Sequence, residues 1–197
     1  MANELQGKKI AFIATEGVEQ AELTEPWKAV EQAGGQPELV SIEDGEVQAW
    51  EHFDKAGTFK VDKTIEEAQP GDYDGLVLPG GVANPDQLRG DENVVAFIRE
   101  FAESGKPIGV ICHGPWTLIE AGVVNGRRMT SWPTLQTDLR NAGAEWVDEE
   151  VVVDQGLVSS RKPDDLPAFN AKLVEEIAEG RHAEAAQTAI HAEATPS

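Results

Sequence analysis

Residues 106–122 read KPIGVICHGPWTLIEAG and hold the only cysteine of the chain, Cys112. Ile108 to Ile111 form a short apolar run after Gly105 and Pro107, the pattern of a strand buried inside a parallel sheet. His113, Gly114 and Pro115 follow the cysteine. Trp116, Leu118 and Ile119 then recur at helical spacing, and Gly122 reads as a helix stop. Pro115 suits the first turn of a helix, where its missing N–H costs nothing. Strand, sharp turn and helix with a thiol at the corner describe a nucleophile elbow. Unpaired N–H groups at the helix start favour a thiolate, so a thiol pKa below the free value of about 8.5 is expected. A lone cysteine can instead be a small buried hydrophobe. The His-Gly-Pro that follows it has no use in a core, and favours the reactive thiol.

Working outward, residues 8–15 (KKIAFIAT) read as a first strand, and Glu16 to Glu22 as a loop entering a helix that Gly34-Gly35 ends. That loop lies at the carboxyl end of the sheet, where open α/β sheets place their sites. Its glutamates cap the helix, or one of them points at the Cys112 corner if the first strand lies beside the cysteine strand. Residues 36–41 form a second strand, and 47–50 with 58–62 a hairpin. Residues 71–79 form a strand ended by Pro79-Gly80-Gly81, whose glycines either make the turn or present N–H groups to an oxyanion. Residues 93–101 and 135–142 are helical. Trp146-Val147, 151–153 and 157–160 read as short strands at the far part of the sheet, the last two joined by a turn at 154–156. Residues 163–178 form a closing helix. The chain is thus an α/β protein with one domain over residues 1–180 and an Ala/Glu-rich tail over 181–197.

The chain has 197 residues and a formal charge of −20. Such a charge opposes binding to nucleic acid or anionic membranes, which need a basic face. No apolar run of about 18 residues exists to span a bilayer, and the N-terminus lacks a signal-peptide core. One cysteine allows no internal disulfide, so a cytoplasmic setting is expected. The four histidines, at 52, 113, 182 and 191, show no metal-ligand spacing. No phosphate loop or dinucleotide fingerprint is present, so neither cofactor nor metal is expected.

Taken together, AFIATEGVEQAELTEPW, YDGLVLPGG, GKPIGVICHGPWTLIEAG, GRRMTSWP and the stretch from Asn141 to Phe169 resemble the PfpI family, within the wider DJ-1 superfamily. The resemblance covers roughly residues 7–180. It implies a flavodoxin-like three-layer α/β sandwich with a mostly parallel sheet, and a homo-oligomer, either dimer or hexamer. It implies Cys112 as nucleophile, with a glutamate of the first loop against the thiol; the E-L-x-x-P pattern picks Glu22 over Glu19. In proteases of the family, the histidine after the cysteine pairs with an acid of a neighbouring subunit, and His113 and Asp86 match those positions. Gly80, Gly81 and the His113 N–H match the backbone donors. This chain departs by an apparent extra residue between Gly81 and Asp86, by Asp for Glu at 86, and by Trp132 where relatives often carry Tyr. These departures turn the expectation from peptidase toward a deglycase or glyoxalase acting on small aldehydes or glycated groups. A non-enzymatic redox sensor or holdase working through Cys112 oxidation is the alternative.

On the residues alone, a bare carboxylate beside a thiol raises the thiol pKa. Glu22 therefore serves Cys112 best when protonated, as a desolvated carboxyl can be. The two side chains of adjacent Cys112 and His113 are expected to leave the elbow in different directions.

Overall fold

The computed structural model describes residues 3–182. In chain order the elements are β1 (Lys9–Ile13), β2 (Val18–Glu19), α1 (Gln20–Gln32), β3 (Gln36–Ser41), β4 (Glu46–Glu51), β5 (Asp54–Lys60) and β6 (Lys63–Thr64). They continue with β7 (Gly75–Leu78), α2 (Ala83–Leu88), α3 (Glu92–Glu103), β8 (Ile108–Ile111), α4 (Pro115–Glu120) and β9 (Arg128–Met129). The last are α5 (Gln136–Asn141), β10 (Glu145–Trp146), β11 (Val151–Asp154), β12 (Leu157–Ser160) and α6 (Leu166–Glu179).

Among the described residues the main sheet runs β11-β12-β8-β7-β1-β3-β6. Its pairs are parallel except β11 with β12. The central order, second-first-third-fourth-fifth, is that of a flavodoxin-like doubly wound sheet. Strand β1 shows why the sheet is sandwiched. Ala11 and Ile13 pack with Phe97, Ile98, Phe101 and Leu118 of α3 and α4, while Ile10 and Phe12 pack with Leu23, Val30, Leu173 and Ile177 of α1 and α6. Side chains alternate across a strand, so the four consecutive apolar residues Ile10 to Ile13 need a helical layer on each face.

Two expectations are revised. β1 does not lie beside the cysteine strand β8, because β7 stands between them. β10 leaves the main sheet and pairs with β9 in a separate two-stranded ladder. The expected hairpin is present as β4 and β5; it joins β2 in a small sheet of its own, and turns at His52, whose φ is 56°. The tail expected over 181–197 falls outside the described residues beyond His182. No helix among the described residues is long and apolar enough to cross a membrane.

Candidate active site

Three chain segments meet at the carboxyl ends of β1, β7 and β8, where the strand order reverses direction. β8 delivers Cys112 in the left-handed region, with φ of 61°. For a residue with a Cβ that conformation costs about 1–2 kcal/mol. Neighbouring backbone holds it: the Cys112 N–H donates to Ser160 O at 3.1 Å, and its C=O accepts from Trp132 N–H at 2.9 Å. Pro115 then opens α4 at its first position, as the sequence leads one to expect. The thiol is 6% exposed.

Glu22 arrives from the first turn of α1 and is fully buried. Its Oε2 accepts the Gly80 N–H at 2.8 Å. That bond takes up a donor that the sequence leaves available for an oxyanion. A Cβ on Gly80 would lie 2.6 Å from Oε2 and 2.7 Å from the Cys112 Cβ, so the close approach of the two groups requires glycine. Oε1 of Glu22 has no hydrogen-bond partner, and the Glu22 side chain interacts directly with the Cys112 thiol. Burial, opposed in part by the Gly80 N–H and the thiol, pushes the Glu22 pKa up to about 8. Glu22 therefore carries a proton at neutral pH.

Burial, then the charge of Glu22, push the Cys112 thiol up as well, and the N–H groups of Gly81 and His113 that point toward the sulfur offset this only in part. The expectation of a lowered thiol pKa is therefore revised. α4 has six residues, and its start does not outweigh the loss of water around the sulfur. The two acids titrate as a unit. Once a single proton is left between them, it can sit on Glu22 and leave a thiolate, or on sulfur and leave a carboxylate.

His113 does not diverge from the thiol. Its Nδ1 lies 3.1 Å from Cys112 Sγ. The positive φ of Cys112 rotates the next residue back over the elbow, which residue adjacency alone does not reveal. The ring sits edge-on to Trp116 at 5.2 Å and stacked on Trp132 at 5.8 Å. Burial pushes its pKa down to about 4, so the imidazole is neutral and lends the thiol no positive charge. Asp86 faces elsewhere. It lies exposed in the first turn of α2, and its Oδ1 accepts from Arg89 Nη2 at 2.6 Å. No hydrogen bond or ion pair joins Asp86 to His113 among the described residues.

Some contributors carry no signal in the sequence reading. Asn84 sits in what reads there as a bare turn signal, Asn-Pro. It is fully buried; its Oδ1 accepts from Thr15 N–H at 2.8 Å, and its Nδ2 donates to Pro79 O and Gly80 O, each at 3.0 Å. One amide thus ties β1 to the loop that carries Gly80 and Gly81. The hairpin tip His52-Phe53 forms part of the wall of a cavity of about 470 Å3, which Glu22, Cys112, His113 and Trp132 also line. Glu19 anchors that tip by accepting the His52 N–H at 3.0 Å. It is a wall residue and, unlike Glu22, not the carboxyl paired with the thiol.

The family model described as "DJ-1/PfpI family" matches residues 8–176. Among curated relatives, the chain is 46% identical to Protein/nucleic acid deglycase 2 of Escherichia coli over 168 residues, covering 85% of this chain and 96% of the other. It is 44% identical to General stress protein 18 of Bacillus subtilis, over 83% of this chain and 94% of that one. Among solved structures, a two-domain protein of Anabaena variabilis with DJ-1/ThiJ/PfpI-like and ferritin-like domains superposes with a TM-score of 0.82 at 30% identity. The match covers 96% of this chain and 56% of that two-domain chain.

Proposed function

The chain belongs to the DJ-1/PfpI family, and we propose that it is a stress-response deglycase, a cytoplasmic homo-oligomer that works without a cofactor. One observation carries this reading: a buried Glu22 carboxyl with pKa raised to about 8 beside the elbow thiol. A general acid/base works best when its pKa lies near the operating pH. The substrate class is the hydroxyalkyl amine that forms when an amine adds to a small α-oxoaldehyde such as methylglyoxal.

The active form is the less populated tautomer of the singly protonated pair, with the remaining proton on Glu22 and a thiolate at Cys112, in exchange with the tautomer that holds the proton on sulfur. Cys112 Sγ displaces the amine from the carbon that bears it: the S–C bond forms as the C–N bond breaks, and the C–N electron pair leaves with nitrogen, which takes the proton from Glu22. Glu22, now a carboxylate, accepts a proton from water as the hydroxide equivalent displaces sulfur from that carbon. The C–O bond forms as the S–C bond breaks, which restores the thiolate and frees the hydrated aldehyde. The net change is hydrolysis, with no oxidant needed. The N–H groups of Gly81 and His113 point at the sulfur and steady its charge. The formal charge of −20 favours amines on proteins or free amino acids over nucleic acid as substrates.

Incubation with methylglyoxal-treated N-acetyl-lysine or N-acetyl-cysteine tests this. Amine or thiol release by the native chain, absent in Cys112→Ala, is the expected result. Equal release by both would refute it.

The 3.1 Å approach of His113 to Cys112 favours a peptidase as second reading, since a Cys–His hydrolase needs that contact. Such an enzyme also needs a third group to orient the imidazole. Asp86 is spent on Arg89 within the chain, and the ring is held between two tryptophans instead. Casein and fluorogenic peptides are expected to be cleaved weakly or not at all, although iodoacetamide still labels Cys112. Robust cleavage lost in both Cys112→Ala and Asp86→Ala would restore the peptidase.

A further inference from the structure

A second cluster of chemistry-bearing residues lies at the other end of the sheet from Cys112. Helix α6 ends with Glu176 and Glu179, one turn apart on the same face. Gly180 follows with φ of 91° and reverses the chain. His182 is thereby returned to the helix end, and its N–H donates to Gly105 O at 2.8 Å. The imidazole lies against Gly156, where a Cβ would come within 2.7 Å of the ring. The ligand atoms of Glu176, Glu179 and His182 all fall within 4.8 Å of one another.

The buried pair is not a plain hydrogen bond. Glu176 is 6% exposed, and its Oε2 stands 3.0 Å from His182 Nε2. Yet both atoms are buried and neither makes a hydrogen bond. A buried carboxylate oxygen and an imidazole nitrogen that face each other as an ion pair without a hydrogen bond, converging on one point, are an expensive arrangement unless something satisfies both.

We propose that Glu176, Glu179 and His182 form a divalent transition-metal site, with Zn2+ as the ion their donors fit best. Imidazole nitrogen and carboxylate oxygen are both donors that Zn2+ accepts, and three of them leave the fourth position of the tetrahedron to water. The exposed Glu179 has the rotamer freedom to close the last ångströms. The carbonyl end of α6 adds negative potential. Lys8 already donates to Ile177 O and Ala178 O there, so the ion is held by side chains rather than by those carbonyls. The bound ion fastens the chain leaving α6 to the turns at Gly105 and Gly156, and its role is structural. Sequence spacing hides the set, because only the Gly180 reversal brings residue 182 back to residue 176.

The test uses the full chain carrying Cys112→Ala, so that the thiol and His113 do not compete for metal. Titration with Zn2+ in a calorimeter, and with Co2+ followed by visible absorption, is expected to show one ion per chain. Zn2+ is expected to raise the unfolding temperature of this variant. His182→Ala and Glu176→Gln each weaken binding at least about 100-fold, and His191→Ala leaves it unchanged. Glu179→Gln, at an exposed position that the fold does not need, also weakens binding and covers the case in which a buried variant fails to fold. No saturable binding in the parent, or equal binding after loss of His182 and of Glu179, would overturn the proposal.

Discussion

Glu22→Gln is expected to lower deglycase turnover about 10²- to 10⁴-fold, the range for removal of a general acid/base, while making the fold more stable at alkaline pH. The two effects share one cause. Glutamine keeps the shape of the protonated carboxyl and can still accept the Gly80 N–H, but it can neither give nor take a proton. Folding holds the Glu22 pKa at about 8 against an ordinary 4.5. Below 4.5 both folded and unfolded chains keep the proton, and the folded state bears no penalty. Between the two values only the folded chain keeps it, so stability falls as pH rises, and above about 8 the whole penalty is present. A displacement of that size corresponds to about 5 kcal/mol. The variant should therefore match the native chain in acid, and exceed it in urea or thermal unfolding at pH 9. Turnover by the native chain should climb with pH toward a plateau above 8 as the pair loses its first proton. Glu19→Gln should change neither property, since Glu19 holds only the hairpin tip.

Gly81→Ala is expected to cost about 3 kcal/mol or more of stability and to lower turnover about 10²-fold, as loss of one oxyanion donor does. Gly81 has φ of 78°, and a Cβ there would stand 2.3 Å from Gly17 O and 2.9 Å from Glu19 N. Those atoms are backbone, so they cannot move aside as a side-chain tip does. The shift must be taken by the loop whose N–H points at the sulfur. Gly45→Ala is the control. Gly45 has φ of 105° and nothing within 4 Å of a Cβ, so alanine there brings only conformational strain. Chemical unfolding and turnover on the three proteins check both halves. Equal losses in the two variants would mean that the clash and the donor at Gly81 are unimportant.

The elbow was legible because its signals are local. An apolar tetrapeptide, a cysteine, a glycine and a proline at the first helical position need no distant partner to be read. Glu22 is legible through the pattern it shares with a family, and not through adjacency of the first strand to the cysteine strand. β7 separates β1 from β8, and Glu22 reaches the thiol because Gly80 lets β7's loop pass between them. What the sequence hides depends on backbone angles and on burial. The swing of His113 onto Cys112 follows from φ of 61° at a non-glycine residue. The raised thiol pKa follows from how completely the site excludes water. Asn84 ties the end of β1 to the loop after β7, and nothing in an Asn-Pro dipeptide announces that. The departure of β10 from the main sheet is hidden for the same reason, since two residues carry too little pattern to fix a partner.

The central claim is that Glu22 holds a proton at neutral pH beside Cys112. Infrared titration of the carboxyl C=O band, assigned by its loss in Glu22→Gln, tests it most directly. A protonated band is expected at pH 7, disappearing with a midpoint near 8. A Glu22 band already gone by pH 6, with a midpoint near the ordinary 4.5, would contradict it.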